Sequence, residues 1–208
     1  MRRHIPNLLT AGRFFLTLGF FVVLAFYRGP ESKLLDAPLL DVALAVFLVA
    51  VLTDAVDGYL ARRLGHVTTF GRIADPFVDK IIVCGALAYL IGDPFLRTGA
   101  EGVMENPTGW QPWMVVVILA RELLVTGMRS FSESHGLPFA ATLSGKIKMF
   151  VQCVAIVFSM LYVGHWTDGP DWVADVRDAL IWATTLVTIV SGLAYIQRGY
   201  QLLRMPPD

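Results

Sequence analysis

Cysteine is nearly absent from this 208-residue chain, which has only Cys84 and Cys153, each inside an apolar run. That excludes a disulfide framework and a CxxC metal knuckle. Charge is scarce too: Asp, Glu, Lys and Arg make up 16% of residues, where a soluble domain carries about 25%. Neither sign is in excess, since 17 Lys and Arg face 17 Asp and Glu. A nucleic-acid binder carries a basic electrostatic footprint, so no nucleic-acid partner is expected. Charge-free runs long enough to span a bilayer number only two, Met149–Thr167 and Ala179–Gln197. No internal repeat, low-complexity tract or long linker divides the chain. One domain over 1–208 is expected.

What is abundant is apolar surface: 55% of residues are hydrophobic and mean hydropathy is +0.60. This excludes intrinsic disorder and indicates an integral membrane protein. Helices of roughly 20 mostly apolar residues can span a bilayer. Six candidates can be drawn, at about 6–27, 38–62, 73–92, 110–133, 143–165 and 176–198. The first follows Arg2 and Arg3 as a secretory signal would. It exceeds a normal signal core, however, and Phe26-Tyr27-Arg28-Gly29 offers no small-residue cleavage site, so a retained helix is expected. The fold expectation is an all-α bundle of six transmembrane helices.

Four of those spans are interrupted near one end: by Arg13, by Asp54 and Asp57, by Asp75 and Asp79, and by Arg121, Glu122 and Arg129. Each charge at membrane depth costs roughly 2.5–3.5 kcal/mol, so such groups face a bundle interior or a wet cavity and mark function. With six spans, 13 of the 17 cations fall on the face that also carries both termini. Lys and Arg concentrate in cytoplasmic loops. Both termini are therefore expected on the cytoplasmic side of the inner membrane. Trp110, Trp113, Trp166, Trp172 and Tyr27 fall toward the other face, where interfacial aromatics anchor helix ends.

The densest cluster of chemistry runs from Asp54 to Asp79. Asp54 and Asp57 are three apart and Asp75 and Asp79 four apart, so each pair shares one helix face. The hairpin between the two helices lets all four carboxylates converge. Repulsion among them at low dielectric requires protons or hard cations. An oxygen-only ligand set favours Mg²⁺ or Mn²⁺, with Ca²⁺ as an alternative, over zinc or copper. Two such ions suit in-line phosphoryl displacement. Gly58 leaves room for a group to approach the backbone, and Arg62 offers a bidentate phosphate contact. An alternative reading has these aspartates capping helices or pairing with Arg62, Arg63 and Lys80. For Asp75, followed by Pro76, a role at the helix start is open.

The residues Asp54, Asp57, Gly58, Ala61, Arg62, Gly71, Asp75 and Asp79 form the pattern D-x2-D-G-x2-A-R-x8-G-x3-D-x3-D. This resembles the defining motif of the CDP-alcohol phosphatidyltransferases at every fixed position. The resemblance implies a six-helix membrane fold with a polar cavity open to the cytoplasm, a homodimer, and a divalent metal site made by Asp54, Asp57, Asp75 and Asp79. It implies Asp79 as general base and Gly58, Ala61, Arg62, Gly71 and Asp75 as the cytidine-diphosphate pocket.

Two further segments resemble the branch of that family whose acceptor is sn-glycerol 3-phosphate. They are Ile5-Pro6-Asn7-Leu8-Leu9-Thr10-x-x-Arg13, and Ala120-Arg121-Glu122-Leu123 with Arg129 and Gly145-Lys146-Ile147-Lys148. Asn7 and Thr10 are expected at the nucleotide and diphosphate. Arg129 and Lys146, helped by Arg121, are expected at the acceptor's phosphate. The implied reaction transfers a phosphatidyl group from CDP-diacylglycerol to glycerol 3-phosphate and releases CMP. Positive-inside anchoring competes as the explanation of these cations, Lys148 above all. Glu122 either neutralises Arg121 or holds a pocket residue in place. Phosphatidylglycerol, an inositol phosphate and serine are alternative acceptors, and a cation- or proton-coupled transporter is the alternative of another class.

Overall fold

The computed structural model describes residues 5–29, 36–64, 69–98, 102–134 and 143–203. Side chains are described for 11–29, 37–53, 77–98 except 79, 102–134 except 133, 147–197 and 199. Six α-helices carry the described chain: α1 (Ile5–Phe26), α2 (Asp36–Leu64), α3 (Thr69–Leu90), α4 (Pro112–Ser134), α5 (Leu143–Leu161) and α6 (Asp171–Leu203). A π-helical turn, Tyr162–Trp166, extends α5. Between α3 and α4 lie a 3-10 turn, Asp93–Phe95, and two short strands, β1 (Arg97–Thr98) and β2 (Met104–Glu105). The strands pair antiparallel, Arg97 opposite Glu105.

Hydropathy marks spans, whereas helices continue as long as the backbone is satisfied. Thus α6 starts at Asp171, through Asp175, Arg177 and Asp178, rather than at 176. At 1.5 Å per residue it is about 50 Å long, against a hydrocarbon core of about 30 Å. Likewise α3 starts at Thr69, a turn before the expected 73, which puts Asp75-Pro76 inside the helix. Asp75 therefore does not stand at the start of α3. Pro76 has no N–H to give to the carbonyl four residues back, so it interrupts the hydrogen-bond ladder beside Asp75.

Successive helices alternate in direction. Tyr27, just after α1, packs its ring on Phe95 at 4.8 Å between centroids. His165 in the π turn meets Asp41 near the start of α2 at 2.8 Å. Arg177 near the start of α6 donates to the Pro107 carbonyl at 2.6 Å and lies over the Tyr162 ring. These contacts gather the ends of α1, α3 and α5 with the starts of α2, α4 and α6. At this end Asn106 and Thr108 both donate to the Leu90 carbonyl, capping α3.

The core between the helices holds Phe20, Phe47, Leu87, Ile118, Ile156 and Ile181, all essentially without solvent exposure. Gly85 lets α1 approach α3, since a Cβ there would overlap the ring of Phe21. Outward, large apolar side chains dominate: Phe15, Phe26, Leu52, Leu123, Phe150 and Val190 are each more than 60% exposed. A soluble monomer does not present so continuous an apolar exterior. Ile147–Trp166 and Asp171–Gln197 are long and apolar enough to cross a membrane, and Ala11–Phe26, Ala37–Thr53 and Lys80–Leu90 are shorter apolar helices. The protein is a helical membrane protein.

Two expected interfacial anchors are instead core residues. Trp110 is 1% exposed and donates from Nε1 to Ser159 Oγ at 3.1 Å, and Tyr27 is buried as well. Trp113, Trp166 and Trp172 are exposed. Cys84 and Cys153 are not joined in a disulfide.

Candidate functional site

Asp54 and Asp57 lie within α2 together with Gly58, Ala61 and Arg62, and Gly71, Asp75 and Asp79 lie within α3. Helical backbone at both places gives each aspartate pair the i,i+3 or i,i+4 spacing that shares one face. The side chains of these eight residues, and those of Asn7, Thr10 and Lys146, lie outside the described ones. Among the described residues no group of three or more His, Cys, Asp or Glu is placed to hold a metal. As a donor set, the four carboxylates fit a hard divalent cation.

The described part of the site is a buried polar junction of α4, α5 and α6. Arg121, 6% exposed, donates from Nε to Ser191 Oγ at 3.2 Å and from Nη1 to Glu122 Oε1 at 3.2 Å. Its guanidinium carbon lies 5.4 Å from the centroid of the Tyr195 ring. Lys148, equally buried, reaches the same Oε1 of Glu122 in an ion pair. Gly192 makes room for Arg121, whose Cγ would stand 3.3 Å from a Cβ there. Arg129, eight residues on, continues the inward stripe through buried Val125 and is half-buried. Positive-inside anchoring at the surface therefore does not explain Lys148.

Nη2 of Arg121 is buried and has no hydrogen-bond partner among the described residues. A buried donor without an acceptor costs about 1–3 kcal/mol. Lys80 and Arg121 lie within electrostatic reach of Lys148, and Arg129 within reach of Arg121. Arg121 and Lys148 thus share one oxygen of Glu122, with Lys80 near Lys148 and Arg129 near Arg121. Such a junction can receive an anion.

Sequence reasoning missed Ser191, Gly192 and Tyr195 as parts of this junction. Their signal is the stripe Thr184, Thr188, Ser191, Tyr195 on an otherwise apolar helix, at three- and four-residue spacing. An open cleft of about 640 Å³ lies at the other end of the helices, lined by Trp110, Arg177 and Asp178 among others. Its Arg177 is already held by Pro107, Asp178 and Tyr162.

Fold and site together define a helical membrane protein with paired aspartates on adjacent helices and a buried cationic junction beside them in sequence order. A family model for CDP-alcohol phosphatidyltransferase matches residues 3–190, and the chain belongs to that family. It is an enzyme, which removes the transporter alternative. A Bacillus subtilis relative named CDP-diacylglycerol–glycerol-3-phosphate 3-phosphatidyltransferase is 31% identical over 97% of both chains. A Rickettsia felis protein of the same name is 30% identical over 94% of both chains. A Mycobacterium tuberculosis protein named probable phosphatidylglycerophosphate synthase is 34% identical over 94% of this chain and 81% of its own.

Proposed function

We propose that this protein transfers the phosphatidyl group of CDP-diacylglycerol to sn-glycerol 3-phosphate, forming phosphatidylglycerophosphate and releasing CMP. The observation that carries this is similarity along nearly the whole chain to relatives so named. The buried cationic junction supports it, because a phosphorylated acceptor needs cations apart from those that hold the donor's diphosphate.

In this reading Asn7, Thr10, Gly58, Ala61, Arg62, Gly71 and Asp75 bind the nucleotide and diphosphate. Arg129 and Lys146, with Arg121, bind the phosphate of the acceptor and orient its free hydroxyl. Asp79 takes the proton of that hydroxyl, and the oxygen attacks the phosphorus that carries the diacylglycerol. The bond from that phosphorus to the bridging oxygen breaks, and CMP departs with the electron pair. Asp54, Asp57, Asp75 and Asp79 would hold the divalent ions, two of Mg²⁺ or Mn²⁺, which neutralise charge developing on the phosphates. With both substrates fixed in line, the rest of the work is positioning.

The reading includes six membrane spans, both termini and the site on the cytoplasmic side of the inner membrane, and a homodimer. It is tested by CMP release from CDP-diacylglycerol in the presence of Mg²⁺ with a panel of alcohols. Glycerol 3-phosphate is expected to support turnover well above phosphatidylglycerol, inositol phosphate and serine. A different preferred acceptor overturns the assignment.

A further inference from the structure

Removing a hydrogen bond to a buried charge loses affinity, and misplacing that charge does the same without removing it. Arg121 is fixed at three points that belong to two helices. Ser191 Oγ accepts from Nε, Glu122 Oε1 accepts from Nη1, and the Tyr195 ring lies beside the guanidinium. Ser191 is itself oriented, since its hydroxyl donates to the Thr188 carbonyl at 3.0 Å. Of its nitrogens, Nη2 has no hydrogen-bond partner among the described residues. The same carboxylate oxygen that holds Arg121 also holds Lys148, across from α4 to α5. One acid therefore sets the places of two cations that would otherwise repel each other. At Gly192 the backbone comes so close that an added methyl group would press on the Arg121 stem.

From this geometry we infer that Glu122 is a positioning residue: it aims Arg121 and Lys148 at the phosphate of the acceptor, with Gly192 fixing the path of the arginine stem. Glu122 touches no substrate in this arrangement and acts through the two cations. The inference rests on the proposed use of a phosphorylated acceptor and adds the group that sets specificity for it. It also gives Lys148 a place at the phosphate beside Arg129 and Lys146.

The test is steady-state CMP release by the purified full-length protein, with KM measured separately for glycerol 3-phosphate and for CDP-diacylglycerol. The variants are Glu122→Gln, Glu122→Asp and Gly192→Ala. Glu122→Gln is expected to raise the KM for glycerol 3-phosphate at least about tenfold, the scale of one charge-assisted hydrogen bond, while the KM for CDP-diacylglycerol stays within about twofold. Glu122→Asp is expected to recover part of the loss, because it keeps the charge. Gly192→Ala keeps every charge and favours helix, so it tests the inference even where loss of the buried acid prevents folding. It too is expected to raise the KM for glycerol 3-phosphate selectively. Equal effects on both substrates overturn the inference, as does a Gly192→Ala enzyme with the wild-type KM. Wild-type turnover with glycerol 3-phosphate alongside unaltered variants overturns this inference alone. Wild-type turnover only with an unphosphorylated alcohol overturns both it and the proposed acceptor.

Discussion

Two kinds of charge interrupt the apolar helices of this sequence, and in the proposed reaction they divide the labour by sign. Aspartates in α2 and α3 suit metal ions and a proton, while Arg121, Arg129, Lys146 and Lys148 suit a phosphate. Each makes a separable prediction. Asp79→Asn replaces the proposed base with a group of the same shape that cannot take a proton. Turnover should fall to background while the circular dichroism and elution volume of the purified protein stay as in wild type; retained turnover would remove Asp79 from that role. Arg129→Gln should raise the KM for glycerol 3-phosphate at least about tenfold, the loss expected for one charged hydrogen bond. Its effect on CDP-diacylglycerol should be small, and matched effects on both substrates would place Arg129 with the diphosphate instead. The placement of the aspartate pairs on two successive helices was legible in the sequence, because three- and four-residue spacing within a helix encodes a shared face. The Glu122–Lys148 pair was not, since its partners are 26 residues apart on separate helices and no local rule brings them together. Trp110 misled for a related reason: an indole near a span end reads as an anchor until a partner such as Ser159 is found for its N–H.

At the scale of helices, small residues set the spacing, and only the structure tells which ones matter. Gly85 seats the Phe21 ring between α1 and α3, whereas a Cβ at Gly12, Gly19 or Gly127 would meet nothing within 4 Å. The Gly85→Ala variant should therefore lose about 1–3 kcal/mol through overpacking. Thermal denaturation in detergent measures this, and adding Phe21→Leu should return much of the loss. Full additivity of the two substitutions would show that they do not share a contact. Helix ends were the least legible feature. A charged residue ends an apolar span without ending a helix, so α6 begins at Asp171, ahead of its expected start at 176. A proline reads as a start signal from sequence, yet Pro76 lies in the interior of α3. Without an N–H, Pro76 leaves one backbone hydrogen bond of α3 unmade next to Asp75.

For the whole molecule, zero net charge conceals a sorted distribution. In the proposed six-span topology, thirteen of the seventeen cations fall on the same face as the aspartate quartet and the Glu122 junction. The opposite end is closed by neutralised pairs such as Arg177–Asp178 and by the capped end of α3. Four helices lose uninterrupted apolar length to these charges, and α5 and α6 keep it. That is the pattern expected if function, rather than folding, dictates where the membrane-facing hydropathy is interrupted. The class of protein followed from this pattern; the acceptor rests on the junction and on the relatives. The most direct measurement of the account is transfer of label from radiolabelled glycerol 3-phosphate into lipid by the purified protein, with CDP-diacylglycerol and Mg²⁺ supplied and CMP counted in parallel. The account predicts one labelled lipid phosphate for each CMP released, and no transfer after chelation of divalent metal. CMP released without label entering lipid, or no CMP from a folded preparation with any alcohol, would contradict it.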